Sequence, residues 1–289
     1  MGSVMLFLLI VGVGIYMSQP SKVKATWIWD LDEMEGSIED NIEFAEEQEV
    51  NLIYLHISIK GLDRERVKAF IEEASAHNIQ VYALGGDPNW ALDKHQDSLS
   101  TFISLVRNYN QDVPNEAGFK GIHMDIEPYL LPEWDAARDE VIAQWMGNVT
   151  FLRQEVEKTG QDLQLSGDFP FWVNDLQVPG ESESLSSWML SQLDSMTIMA
   201  YRDYTEGKNG IKHIASPLIE QAANQDKSVV IAVNVIKTDE GSYTTFYDSA
   251  PGQMEQELNG LNQSFSGHPG YAGIAVHDYS YWKLYRNKE

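Results

Sequence analysis

The sequence predicts a single α/β domain, a (β/α)8 or TIM barrel, and three observations support this prediction. Eight short runs rich in β-branched and aromatic residues recur along the chain from residue 26 onward. Seven amphipathic stretches lie between them, and strand–helix alternation of this kind indicates a parallel sheet that closes on itself. The length of 289 residues suits one barrel, which needs ~250 residues, and no linker or composition break divides the chain.

The predicted elements follow one another in regular order. The apolar runs are typical of strands buried on both faces of a parallel sheet, and they lie at 26–30, 51–58, 80–84, 121–127, 163–169, 195–201, 228–235 and 273–279. Helices are predicted at 37–48, 63–78, 98–110, 138–158, 183–193, 212–225 and 252–265. Ser37, with Asp40 three residues later, forms a pattern close to a capping box at the start of the first helix.

Residues 1–25 are predicted to be a signal peptide or an N-terminal membrane anchor, and residues 26–289 to be the barrel domain. Val4–Met17 is an unbroken apolar run, shorter than the ~20 residues that span a bilayer and typical of a signal-peptide core. Ala25 ends a small-residue cleavage pattern, whereas Lys22 and Lys24 suit an anchor beside a membrane. We therefore expect an extracellular or cell-surface protein whose N-terminus engages the membrane or the export machinery.

The composition excludes several classes of function. The net charge of −24, from 44 acidic and 20 basic residues, argues against nucleic-acid binding and favours a neutral or cationic substrate. The absence of cysteine excludes thiol nucleophiles, disulfides and cysteine-ligated zinc. The 8 Trp and 13 Tyr exceed what a core alone usually needs, and surplus aromatic side chains often line clefts for sugars. We expect a monomer that uses no cofactor.

Polar side chains concentrate where the predicted strands end, whereas the strand starts are apolar. In a (β/α)8 barrel the working site lies at the C-terminal ends of the strands, an opening called the mouth below. The candidates for catalysis are Glu127, Asp125 and Tyr201. The candidates for binding a polysaccharide or oligosaccharide substrate are Asp30, His56, Asp87, Trp90, His123, Asp168, Trp172, Asp203, Asn234 and His277.

Strand four, GIHMDIEPY, carries the strongest chemical signal. His123, Asp125 and Glu127 are two residues apart, so their side chains point to one side of a strand. Two carboxylates about 7 Å apart in the mouth would raise the pKa of one of them, leaving a protonated acid beside an anion. Glycosidic cleavage requires such a pair. We therefore expect Glu127 to be a general acid whose pKa is raised both by the charge of Asp125 and by burial in an aromatic-rimmed mouth.

Strand six ends in MAYRD, and together with strand four it resembles a known family. A strand of the form D-x-x-D-x-D-x-E, followed two strands later by M-x-Y-D, is similar to the chitinase-type family 18 glycoside hydrolases, which are (β/α)8 barrels. The resemblance implies that Glu127 is the general acid, that Asp125 orients the N-acetyl group of the substrate, and that Tyr201 supports the same group. Asp203 approximates the last Asp with one residue inserted.

The chain departs from this pattern at three positions. Lys120 and His123 stand where the family has the first two Asp of the strand-four motif, and His277 stands where it has a tryptophan beneath the sugar. The expected function is that of a secreted or membrane-anchored glycoside hydrolase, acting on a cell-envelope or extracellular polysaccharide by carboxylate general acid catalysis.

Two alternatives stay open at the level of the sequence. The missing Asp and Trp are compatible with a barrel that binds carbohydrate without cleaving it. Alternatively, His123, Asp125 and His277 could converge on a divalent metal in a metal-dependent hydrolase. No H-x-H or H-E-x-x-H spacing is present, so no residue is assigned as a metal ligand.

Overall fold

The computed structural model describes residues 22–286, and it confirms the predicted fold class. Eight parallel strands close into a barrel in the order of the sequence, and β1 pairs with β8 to complete it. The strands are β1 (Val23–Ile28), β2 (Leu52–His56), β3 (Gln80–Gly85), β4 (Gly121–Met124), β5 (Gln164–Pro170), β6 (Ser195–Met199), β7 (Ser228–Asn234) and β8 (Tyr271–His277).

Helices follow the strands around the outside of the barrel. All seven predicted helices are present, and two more lie in segments that the sequence analysis left without one. The helices are α1 (Ile38–Glu47), α2 (Arg64–Ala76), α3 (Gln96–Asp112), α4 (Glu133–Ala136), α5 (Arg138–Lys158), α6 (Leu185–Gln192), α7 (Ile211–Ala223), α8 (Gln253–Ser264) and α9 (Tyr279–Arg286). The helix α4 is too short for a periodic signal, and the aromatic start of α9 resembles a strand. The capping box at Ser37 is formed with Asp40.

The barrel begins three residues before the predicted boundary at Thr26. Val23 and Lys24 pair in register with Gly273 and Ile274 of β8, and cleavage after Ala25 would remove half of β1. The apolar run predicted as a signal peptide or anchor lies outside the described residues. Within residues 22–286, no helix is both long and apolar enough to cross a membrane.

Strand β4 is shorter than predicted, because it ends at Met124 rather than at residue 127. The Asp125 backbone N–H still donates to the Gly85 carbonyl oxygen at 2.9 Å, but the chain then turns into a short 3-10 helix that begins at Pro128. Glu127 therefore lies on the loop that leaves the barrel, two residues beyond the last residue that contacts β3.

The apolar residues form two separate cores. The larger core lies between the strands and the surrounding helices. The smaller one fills the inside of the barrel and contains Trp27, Tyr54, Leu84 and Val230 among its buried members. Inside the barrel, the Tyr54 hydroxyl lies 3.0 Å from the Thr197 hydroxyl and so links β2 to β6 across the axis. This packed interior forms the floor on which the mouth residues lie.

Candidate active site

The floor of the mouth carries a buried carboxylate, Asp168 on β5. Only 4% of Asp168 is exposed, and its Oδ2 atom accepts a hydrogen bond from the Trp27 indole N–H at 3.0 Å. The same oxygen lies 3.0 Å from Nε2 of His123, in ion-pair contact but without the alignment of a hydrogen bond. Its second oxygen is buried without a partner among the described residues. Asp168 therefore supports the site from below and lies out of reach of a sugar entering the mouth.

His123 lies on the same floor and is completely buried. Its ring stacks on Tyr54 at a centroid distance of 3.7 Å, and its Nδ1 atom lies 2.8 Å from the Ser166 hydroxyl. The sequence analysis placed His123 and Asp168 among the substrate-binding residues. Because both are held by protein groups beneath the surface, we assign them to positioning and electrostatics instead.

Asp125 and Glu127 lie above this floor, and both are partly exposed at the mouth. The register of β4 and β5 pairs Met124 with Gly167, so Asp125 lies beside Asp168 where the two strands continue. The Tyr129 hydroxyl donates a hydrogen bond to Oε1 of Glu127. The two carboxyl groups predicted to form a pair are thus at the mouth; Glu127 accepts from Tyr129, and Asp125 lies beside a second acid, Asp168.

Burial raises the pKa of both carboxyl groups. For Glu127 burial is the largest effect; the charges of Asp168 and Glu240 act in the same direction, while the Tyr129 hydrogen bond lowers the pKa. For Asp125 burial again dominates, followed by the charges of Asp168 and Glu127. The predicted direction for Glu127 and one of its two predicted causes, burial, agree with the structure. The other predicted cause, the charge of Asp125, is not among the causes that raise the Glu127 pKa; instead, the charge of Glu127 raises the pKa of Asp125.

An aromatic wall stands beside Glu127. Tyr129 packs edge-on against Trp172 at a centroid distance of 4.9 Å, and Trp134 contacts both rings at 6.3 and 6.4 Å. Trp172 is one of the predicted substrate-binding residues, and it is partly exposed on the loop after β5. Aromatic faces of this kind can pack against the apolar faces of sugar rings.

The opposite side of the mouth is formed by residues that end β2 and β8, His56 and His277, and by Trp29 and Tyr201, which follow β1 and β6. The His277 ring stacks on Tyr201 at 6.1 Å, and its Nε2 atom accepts a hydrogen bond from the Trp29 indole N–H at 3.3 Å. The Nδ1 N–H of His56 donates to the Trp29 carbonyl oxygen at 3.1 Å. Because Nε2 of His277 accepts, the proton of the neutral ring is on Nδ1, which is buried without a partner among residues 22–286.

Burial and nearby carboxylates shift the pKa values of Tyr201 and His277. Burial, and then the charges of Asp168, Asp125 and Glu127, raise the pKa of Tyr201 well above its usual range, so its hydroxyl stays protonated as a hydrogen-bond donor. Burial lowers the pKa of His277, so its ring is neutral near pH 7. Tyr201 is thus close enough to both candidate carboxylates to share one site with them.

The remaining five candidates are engaged in loop or core contacts, although one of them, Asn234, pairs in register with His277. Asp30 and Asp87 are exposed and accept hydrogen bonds from the loop backbone at Asp32 and Asn89. Trp90 is 8% exposed and packs on Phe102 in the outer core. Asn234 is buried and closes a turn by accepting from the Ile236 N–H. Asp203 is partly exposed, and its N–H donates to the Tyr243 carbonyl oxygen. We leave these five residues out of the proposed catalytic group.

Two contributions to the site escaped the sequence analysis. Glu240, on the loop after β7, raises the pKa of Glu127 by its charge, and no pattern in the sequence indicates that the two residues are close. Gly86 lies against the Asp125 backbone so closely that a Cβ atom there would be 3.0 Å from the Asp125 Cα and 2.5 Å from its carbonyl carbon.

The described residues contain no group of three or more His, Asp or Glu side chains arranged to hold a metal ion. Two of the three ligands that the metal-dependent alternative requires are otherwise engaged. His123 is buried against Ser166 and Asp168, and His277 accepts from Trp29.

Comparison with solved structures finds the same fold in chitinases and in a spore cortex-lytic enzyme. The chain aligns over 92% of its length with 98% of a chitinase from Chromobacterium violaceum ATCC 12472, at 12% identity and a TM-score of 0.56. A family 18 chitinase from Cycas revoluta in complex with (GlcNAc)4 gives a TM-score of 0.57 at 12% identity, with 90% of this chain and 95% of that chain covered. The spore cortex-lytic enzyme SleL of Bacillus megaterium QM B1551 gives 0.56 at 9% identity, covering 93% and 75%.

The fold is chitinase-like. This agrees with the resemblance drawn from strands four and six, although identities of 9–12% establish the fold alone. No protein-family model matches the sequence, and no curated protein matches it. The function must therefore be argued from the site.

Proposed function

We propose that this protein is a glycoside hydrolase that cleaves an amino-sugar polysaccharide of the cell envelope or the extracellular space. One observation carries the proposal: Glu127 is at the mouth of a chitinase-like barrel, and burial raises its pKa toward the value that a general acid needs. Asp125 and Tyr201 lie in the same electrostatic group, and the aromatic wall of Tyr129 and Trp172 lies beside the acid.

The roles follow from the chemistry of the groups. Glu127 donates its proton to the leaving glycosidic oxygen. Asp125 and the hydroxyl of Tyr201 hold the N-acetyl group next to the bond that breaks, as the family resemblance implies. Asp168 supplies buried negative charge below them, and that charge favours the positive character that develops at the sugar ring. Export by a signal peptide, or display by an N-terminal membrane anchor, belongs to this proposal as the cellular setting of the enzyme.

The test is turnover by the purified protein on a panel of soluble N-acetylglucosamine oligomers, peptidoglycan and exopolysaccharide. General acid catalysis contributes about 10²–10⁴-fold to the rate, so Glu127→Gln should lower kcat by that factor on the active substrate. Glu133→Gln is the matched control, because Glu133 is an exposed acid at the rim of the same loop region. Equal, background release of sugar by wild type and Glu127→Gln on every substrate would contradict the proposal.

A second candidate function is favoured by the departures from the family pattern. His123 and His277 occupy positions where the family has Asp and Trp, and a barrel with these changes can retain sugar contacts without turnover. In that case glycans bind equally well to wild type and to Glu127→Gln, and neither protein releases sugar. The same two proteins thus separate the two functions.

A further inference from the structure

The Arg202 side chain is fixed at the rim of the mouth by two aromatic rings and two backbone carbonyl oxygens. It follows Tyr201 on the loop after β6, and its guanidinium carbon lies 5.1 Å from the ring centre of Phe171 and 5.4 Å from that of Tyr243. Its Nη1 atom donates to the Tyr201 carbonyl oxygen at 2.6 Å, and Nε donates to the Asn209 carbonyl oxygen at 3.2 Å. The loops after β5, β6 and β7 together position one cation.

This cation has no acidic partner within the described part of the chain. No carboxylate of residues 22–286 lies within 4.0 Å of the Arg202 guanidinium, and no hydrogen bond is formed by its Nη2 group there. The chain has 44 acidic and 20 basic residues, and most of its described arginines have a carboxylate within that distance, namely Arg64, Arg66, Arg138, Arg153 and Arg286. Arg107 has none either, but it is a residue of α3 that bonds to the neighbouring Asn108 side chain, whereas Arg202 lies at the rim of the mouth.

The hydrogen bonds that Arg202 already forms restrict what else can bind to it. With Nε and Nη1 each donating to a backbone carbonyl oxygen, the Nη2 group is the donor that is left for a partner. Its N–H bonds lie in the plane of the guanidinium, so a partner must approach in that plane. A carboxylate oxygen forms a charge-assisted hydrogen bond with such a group.

We propose that Arg202 binds a carboxylate carried by the glycan substrate, so that the enzyme selects an amino-sugar polymer with acidic substituents, such as lactyl or uronic acid groups. This inference rests on the proposed function and narrows its substrate class. Because Arg202 is bonded to the carbonyl oxygen of Tyr201, the acidic group lies at the rim, next to the sugar held by Tyr201. The overall charge of the chain favours a neutral or cationic substrate, and Arg202 provides a local exception.

The test compares two forms of one substrate, a tetrasaccharide of N-acetylglucosamine and muramic acid with free lactyl carboxylates and the same compound as its primary amide. Binding is measured by calorimetry in the Glu127→Gln background, and kcat/KM with Glu127 intact. A hydrogen bond to a charged group contributes about 1.5–3 kcal/mol, so the acid form should bind about 10- to 150-fold more tightly than the amide. Arg202→Gln should abolish that preference and leave amide binding within about twofold.

Arg138→Gln is the matched control, since Arg138 also lies over an aromatic ring, that of Trp134, but pairs with Asp135. It should retain the preference for the acid form. If Arg202→Gln unfolds, Arg202→Lys, which keeps the charge but not the planar guanidinium, should retain only part of the preference. Equal binding of acid and amide by the wild type, an undiminished preference in folded Arg202→Gln, or an equal loss for both forms would each overturn the inference. Glu127-dependent cleavage of a neutral N-acetylglucosamine tetramer tests the proposed function separately.

Discussion

The contact between Gly86 and the backbone of Asp125 allows a sharp test of how the site is positioned. Gly86 follows β3, and a Cβ atom added there would overlap the Asp125 carbonyl oxygen and lie 2.5 Å from its carbonyl carbon. Ordinary van der Waals contact begins at 3.4 Å, so Gly86→Ala requires the two backbones to move apart by at least 3.4 − 2.5 = 0.9 Å, because the carbonyl oxygen lies nearer still. Neither strand end can rotate away as a flexible side chain would.

Two consequences are expected from this displacement. Overpacking typically costs about 1–3 kcal/mol, which lowers Tm by roughly 2–12 °C in a domain of this size. Because Asp125 moves by about 1 Å relative to Glu127 and the substrate, kcat should fall about 10²-fold. The measurements are thermal unfolding and turnover of the substrate identified with wild type.

Gly260→Ala is the control for the loss of a glycine as such. Gly260 lies within α8, and a Cβ atom there meets nothing within 4 Å. Alanine at this helical position should stabilise the protein by roughly 0.5–1 kcal/mol and leave kcat unchanged. If Gly86→Ala matched wild type in both Tm and kcat, the reasoning that the Gly86 approach positions Asp125 would be refuted.

Three further predictions concern pH. Asp168→Asn removes a negative charge that raises the pKa of Glu127, so the basic limb of the pH–rate profile should move to lower pH. An unmoved limb would show that the charge of Asp168 does not act on Glu127. Tyr129→Phe removes a hydrogen bond that lowers the same pKa, so the basic limb should move the opposite way, to higher pH, and a shift to lower pH would contradict the assignment. Protonation of His277, at a pH below its ordinary imidazole pKa of 6.5, should break the hydrogen bond from the Trp29 N–H. Glycan binding by the wild type should therefore weaken at acidic pH. Trp29→Phe lacks this hydrogen bond, so its glycan binding should show no such pH-dependent loss.

Much of the architecture could be predicted from the sequence, because it depends on local patterns. The eight apolar runs and their alternation with amphipathic stretches predicted the barrel, and the capping pattern of Ser37 predicted the start of α1. The same locality allowed Asp125, Glu127 and Tyr201 to be placed at the mouth, because strand ends in a parallel barrel all face one side.

Other features depended on contacts between residues far apart in the chain, and only the tertiary structure decided them. The N-terminal boundary is an example, since pairing with β8 extends β1 back to Val23. The role of His123 is another: its spacing from Asp125 predicted a side chain facing the substrate, but stacking on Tyr54 and contact with Asp168 hold it in the buried floor of the mouth.

The relative weight of the two causes predicted to raise the pKa of Glu127 was also beyond the sequence. The spacing of two residues shows that Asp125 is near, and the aromatic residues suggest burial, but the extent of burial depends on loops from other strands, and burial is the larger effect. In the same way, nothing in the order of residues shows that Arg202 lacks a carboxylate partner. Sequence determines which groups lie at the ends of the strands, whereas burial and pairing across strands determine the charge that each group carries.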